Sequence, residues 1–139
     1  MIFAALLTFA LQDDALQWSQ LPPLPNGVGL GGPFVGVFGG DGPLMVGGGA
    51  NFPEGSPREG GPKRWHAATY LFENGEWREG PDLPKPRAYG ATIAWQGGLL
   101  LVGGCNETGA TSEVLFMEKS SSLHFWYRKF LSTTHPGCT

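Results

Sequence analysis

Arg58, Lys63, Arg64 and His66 crowd into one stretch, GGGANFPEGSPREGGPKRWH at 47–66, which also holds Asn51, Glu54 and Glu59. A second pair, Arg87 and Tyr89, stands in PRAYG at 86–90. The planar fork of an arginine suits a carboxylate, and an imidazole can take or give a proton near neutral pH. Each of these residues also has a plainer reading. Arg87 either contacts a carboxylate or hydroxyl, together with Tyr89, or braces a neighbouring loop. Asn51, Arg58, Lys63 and Arg64 either line a site or sit solvated on a loop. His66, beside Trp65, is either an acid–base group or a packed, hydrogen-bonded side chain. Glu54, Glu59, Glu73, Glu76 and Glu79 are scattered over loops and a hairpin, which suits solubility better than catalysis.

What must position these residues is a repeat. Residues 44–51 read LMVGGGAN and residues 100–107 read LLVGGCNE, so an apolar run meets a glycine pair twice, at VGG 46–48 and 102–104. An alternating strand precedes each pair (PFVGVF at 33–38, AYGATIAW at 88–95), and a third strand follows (ATYLF at 68–72, SEVLF at 112–116). In the first copy Asn74-Gly75, a pair suited to a two-residue hairpin, leads into a fourth strand, EWREG. WSQLPPLP at 18–25 also aligns without gaps on WREGPDLP at 77–84. Four antiparallel strands, a Trp on the last and Gly-Gly after the second resemble the blade of a kelch-type β-propeller. The expected fold is therefore all-β, about two four-stranded blades of an expected six. The units are an orphan outer strand at 16–25, a complete blade at 33–84 and an incomplete blade at 86–117. In 118–139 the grammar stops, so this segment reads as an aberrant tail from a shifted reading frame or a truncated gene.

The bulk numbers agree with one domain of short strands. The 139 residues hold 23 Gly and 12 Pro, yet 41% are hydrophobic and the glycines are patterned. A net charge of −3 offers no basic field for nucleic acid. Cys105 and Cys138 form no disulfide framework and no metal spacing, and Cys105 reads as a small buried residue. Residues 1–12, MIFAALLTFALQ, are too few to span a bilayer as a helix and look like the apolar part of an export signal without its basic start. This places the protein in the periplasm or outside the cell.

The long loop at 47–66, followed by LFENGEW and then PRAYG, resembles the N-acetylneuraminate epimerase (sialic acid mutarotase) family of six-bladed kelch propellers, in its cyclically permuted branch. The likeness runs from about Trp18 to Phe116. It implies an isomerase that interconverts sugar anomers without metal or organic cofactor, with a sialic acid-like sugar as partner. Arg87, Tyr89, Asn51, Arg64 and His66 are the residues it suggests for substrate binding. The family's glutamate base belongs to a blade absent from this chain, so no catalytic residue is carried over, and the chain alone is expected to be inactive. The alternative is a non-enzymatic kelch module that binds protein or glycan through its loops. A copper-radical oxidase, also kelch-built, lacks its ligands here: Tyr70, Tyr89 and His66 are the only blade tyrosines and histidine. Two blades would also leave apolar faces open for association.

Overall fold

The computed structural model describes residues 16, 18–27, 29–119, 125–131 and 134–135. In chain order the strands are β1 (Phe34–Val37), β2 (Leu44–Gly47), β3 (Ala50–Asn51), β4 (Arg64–Trp65), β5 (Thr69–Glu73), β6 (Glu76–Glu79) and β7 (Ala91–Trp95). They continue with β8 (Gly98–Val102), β9 (Cys105–Asn106), β10 (Gly109–Thr111), β11 (Val114–Lys119), β12 (Phe125–Leu131) and β13 (Thr134–His135). Two four-stranded antiparallel sheets dominate, ordered β1-β2-β5-β6 and β7-β8-β11-β12. Each is a meander, the arrangement of a propeller blade.

The hairpins follow from their turn residues. Asn74 and Gly75 both have positive φ, 55° and 86°, and close β5 onto β6 with Glu73 opposite Glu76. Gln96 and Gly97, at 48° and 78°, do the same between β7 and β8. Two positive-φ residues match the right-handed twist of the flanking strands, so the turn itself sets the register.

Between the blades lies the core. Met45 pairs with Leu71 on one sheet, while Leu101 pairs with Leu115 and Leu99 with Met117 on the other. All six are buried, with Phe34 beside them. Burying each such side chain is worth about 1.5–3 kcal/mol, so the contact between blades is the main source of stability. Gly36 is required here, because a Cβ on it would run into Leu99 and Thr92 of the second blade.

Two sequence expectations change. The second blade does not stop at residue 117: β12, from the supposed aberrant tail, pairs along β11 from Lys119↔Phe125 to Val114↔Leu131 and completes four strands. HFWYRKFL has the aromatic and apolar content of a strand even though it lacks the Gly-Gly and Asn-Gly punctuation. Among the described residues, 16–25 form no strand. Pro22, Pro23 and Pro25 have no N–H to give a ladder, and the segment is tied instead by Trp77 Nε1–H donating to the Pro22 carbonyl at 2.8 Å. Residues 1–12 lie outside the described residues.

Candidate functional site

The glycine pairs build the site. Gly48 and Gly49 have φ of 65° and 96°, and Gly103 and Gly104 have 64° and 93°. Side chains rarely tolerate this region, and a Cβ on Gly104 would also sit 2.6 Å from the Ala88 carbonyl. The same hydrogen bonds recur in both copies. Gly48 N–H donates to Ala68 O (3.0 Å) and Gly103 N–H to Glu113 O (2.9 Å). Gly31 and Ala50 exchange a pair of backbone bonds, as do Ala88 and Cys105. The chain therefore leaves each second strand by the same sharp turn, and Asn51 and Asn106 stand at matching positions just beyond it.

In the first blade the turn feeds the long loop. Its ends are joined by β3 and β4, with Asn51 opposite Arg64 and Ala50 opposite Trp65. A short 3-10 turn at Pro57–Glu59 orders the middle of the loop, with Ser56 and Glu59 forming a reciprocal capping box. His66 follows at once, and its Nε2 lies 2.8 Å from Asn51 Oδ1. Asn51 Nδ2 donates to the Gly29 carbonyl at 3.0 Å, which fixes which way the amide faces. Asn51 Oδ1 therefore accepts and His66 Nε2–H donates.

Beside this pair stands a cation on aromatic rings. Lys63 Nζ lies 4.4 Å from the Trp65 ring centroid and 4.6 Å from that of Tyr89. The two rings meet edge to face at 5.8 Å. Tyr89 is exposed and adopts φ 62°, a left-handed backbone held by its N–H donating to Gly32 O at 2.8 Å. Such a conformation in a non-glycine residue costs on the order of 1–3 kcal/mol and clusters at functional sites. Lys63, Arg64, Trp65, Pro86, Asn106 and Glu107 line a groove of about 250 Å³ that draws on both blades' loops.

The predicted site residues thus separate. Asn51 and His66 are bonded to each other, Tyr89 meets the loop through Trp65 and Lys63, and Arg64 lines the groove while pairing with Glu54, its Nε donating to Oε1 at 2.9 Å. Arg87 is elsewhere. It is only 2% exposed and forms an ion pair with Glu113, itself buried and 2.8 Å from Lys129 Nζ. Of its two readings, the geometry is that of the brace. Lys63 is the cation with the least sequence signal, since its value lies in Trp65 and Tyr89 converging on it from different loops. Glu113 had one visible signal: a carboxylate where the first repeat has Ala68. Cys105 is buried as its sequence reading had it, at 5% exposed, but it is also disulfide-bonded, which corrects the expectation of no disulfide. The repeat could not show this, since the first copy has Ala50 at the matching position.

No family model matches the chain. Among curated proteins it is 32% identical over 123 residues to N-acetylneuraminate epimerase 1 of Escherichia coli O6:H1, covering 81% of this chain and 32% of that protein. It is 33% identical over 124 residues to the N-acetylneuraminate epimerase of Brucella suis, covering 78% and 31%. The Salmonella enteritidis N-acetylneuraminate epimerase is 36% identical over 112 residues, covering 70% and 29%. The solved structure of YjhT superposes with a TM-score of 0.71 at 26% identity, over 84% of this chain and 36% of that one. The chain spans about a third of the length of these relatives. In sequence and in blade architecture it belongs with the N-acetylneuraminate epimerases, as a two-bladed portion of their propeller.

Proposed function

We propose that this chain supplies a sugar-acid-binding wall of an N-acetylneuraminate mutarotase. The observation that carries this is Lys63, held over Trp65 and Tyr89 at the edge of the two-blade groove. Aromatic faces suit the apolar face of a sugar ring, and the ammonium suits its carboxylate. Asn106 adds a polar group for hydroxyls.

Anomer exchange needs more than binding. A base takes the proton of the anomeric hydroxyl, the bond from the anomeric carbon to the ring oxygen breaks, and an acid protonates that oxygen. The open keto form then recloses on its other face. Glu107 is the one carboxylate among the groove's lining residues, and Glu54 and Glu113 are committed to Arg64 and Arg87. The groove's lining therefore offers one carboxylate, half of an acid–base pair. Binding and orientation fall to this chain, and proton transfer needs groups from elsewhere in a full ring. That pairing of carboxylates also favours the second reading, a binding module without chemistry. The disulfide at Cys105 supports export to an oxidising compartment, in keeping with the apolar 1–12 segment.

Saturation-transfer NMR with N-acetylneuraminate tests the reading, with a neutral hexose as control. Transfer to the sugar acid alone, lost in Lys63→Ala, supports it, and equal transfer to both sugars or to neither overturns it. Following freshly dissolved α-anomer with and without protein separates the two versions. The chain alone should leave the anomerisation rate unchanged.

A further inference from the structure

Asn106 lines the groove and also a second, smaller cavity of about 40 Å³, which it shares with Lys85, Arg87, Thr108, Thr111 and Glu113. Lys85 and Arg87 come from the segment that leads into the second blade, and the others from β9, β10 and their flanking turns. Charge is distributed unevenly over this lining. Arg87, 2% exposed, is ion-paired with Glu113, and Lys129 Nζ reaches the same carboxylate at 2.8 Å. One carboxylate is thus shared by two cations, and Lys85 adds a third. Among the described residues the cavity therefore carries an excess of positive charge. Because Arg87 and Glu113 are buried, water and salt screen that charge weakly.

Local hydrogen bonds sort the neutral polar groups. Thr108 N–H and Oγ1–H both donate to Asn106 Oδ1, at 2.9 and 2.7 Å. That fixes the amide, and what Asn106 offers a ligand is the pair of N–H donors on Nδ2. Glu113 N–H donates to Thr111 Oγ1 at 3.1 Å, so the Thr111 hydroxyl keeps its hydrogen to donate elsewhere. The acceptors are already engaged, Asn106 Oδ1 by Thr108 and the Glu113 carboxylate by Arg87 and Lys129. Spare donors together with surplus positive charge are what an anion needs when it gives up its water. Size narrows the ligand. The groove has about 250 Å³ and this cavity about 40 Å³, too little for a sugar ring but enough for a water or a single-atom anion.

We propose that this cavity is a halide site, which takes one chloride between the Asn106 amide, the Thr111 hydroxyl and the cations Lys85 and Arg87. Bound there, the anion offsets the surplus charge and ties the β9–β10 hairpin to residues 85–87. Since Asn106 also faces the groove, the halide steadies one of the groove's polar groups. The site does not rest on the sugar reading, and its test involves no sugar.

Chloride NMR linewidths of the purified 139-residue chain test this, because exchange with a bound chloride broadens the bulk line. Broadening is expected, removed by competing bromide and left in place by sulfate at equal ionic strength. The melting temperature, followed as sodium chloride replaces sodium gluconate at constant ionic strength, should rise and then saturate. Lys85→Gln removes an exposed charge while keeping the stem, and should weaken chloride severalfold. Thr111→Val removes the hydroxyl at nearly the same size and should abolish the saturable broadening, with circular dichroism checking that the strands remain. Broadening that sulfate removes as readily as bromide, or that both variants retain in full, means ions gathered on surface lysines and overturns the proposal. So does a linewidth that the protein leaves unchanged.

Discussion

Lys63 and Arg64 are neighbours in sequence but differ in availability. Arg64 is turned toward Glu54, whereas Lys63 makes no ion pair among the described residues and rests on two rings. A charge-assisted hydrogen bond to a carboxylate is worth about 1.5–3 kcal/mol. Lys63→Ala should therefore weaken N-acetylneuraminate binding roughly tenfold or more, while Arg64→Ala costs under about threefold, as read by NMR titration. Tyr89 provides a second test. Tyr89→Gly relieves the left-handed backbone but removes one ring from under Lys63, so thermal stability should hold or rise while affinity falls. Matching losses of both would mean that the ring serves folding and not the ligand. Asn51 was legible because it follows the glycine turn directly, and Arg64 and His66 because they stand just before the third strand. Their partners were not legible, because Gly29 and Glu54 come to them through the three-dimensional course of two loops.

The sharp turns and the buried ion pair belong to the scale of the strand and its ends. Gly48→Ala places a Cβ in left-handed backbone against the Arg87 carbonyl. About 1–2 kcal/mol of backbone cost is the minimum, with the clash added, and urea midpoints of variant and parent should show it. Arg87 and Glu113 hold the start of β11 to the turn after β8, since Arg87 Nη1 also reaches the Gly103 carbonyl at 3.4 Å. Removing one partner of a buried pair strands the other charge, so Arg87→Leu or Glu113→Leu should cost about 3–5 kcal/mol. The double variant should cost much less than the sum, and a double-mutant cycle reads that coupling; additive losses would mean the pair is not coupled. Strands were the most legible elements here, because Gly-Gly, Asn-Gly and the apolar runs are local signals. β12 was missed for the opposite reason: HFWYRKFL has strand-like content, but neither Gly-Gly nor Asn-Gly marks its ends, and only its ladder with β11 identifies it as the fourth strand. The N-terminal segment misled in the other sense, carrying the outer-strand motif without a strand to pair with among the described residues.

At the scale of the molecule, stability rests on one apolar seam between blades and on a covalent tie at Cys105. A disulfide is worth about 2–4 kcal/mol. Reduction with dithiothreitol, or Cys105→Ser, should lower the melting temperature by several degrees, measured by differential scanning fluorimetry; an unchanged transition would mean the tie contributes nothing to the folded state. The repeat made the propeller architecture readable from sequence, because each blade carries the same local punctuation. The long loop of the first blade has a further use. Asn51 and Arg64 face each other across β3 and β4, so whatever lies between them begins and ends at one fixed width. The capping box at Ser56–Glu59 lies wholly inside that span. Residues 52–63 can therefore be exchanged as a cassette, with foreign peptides or randomised segments displayed on an unaltered blade and selected for new ligands.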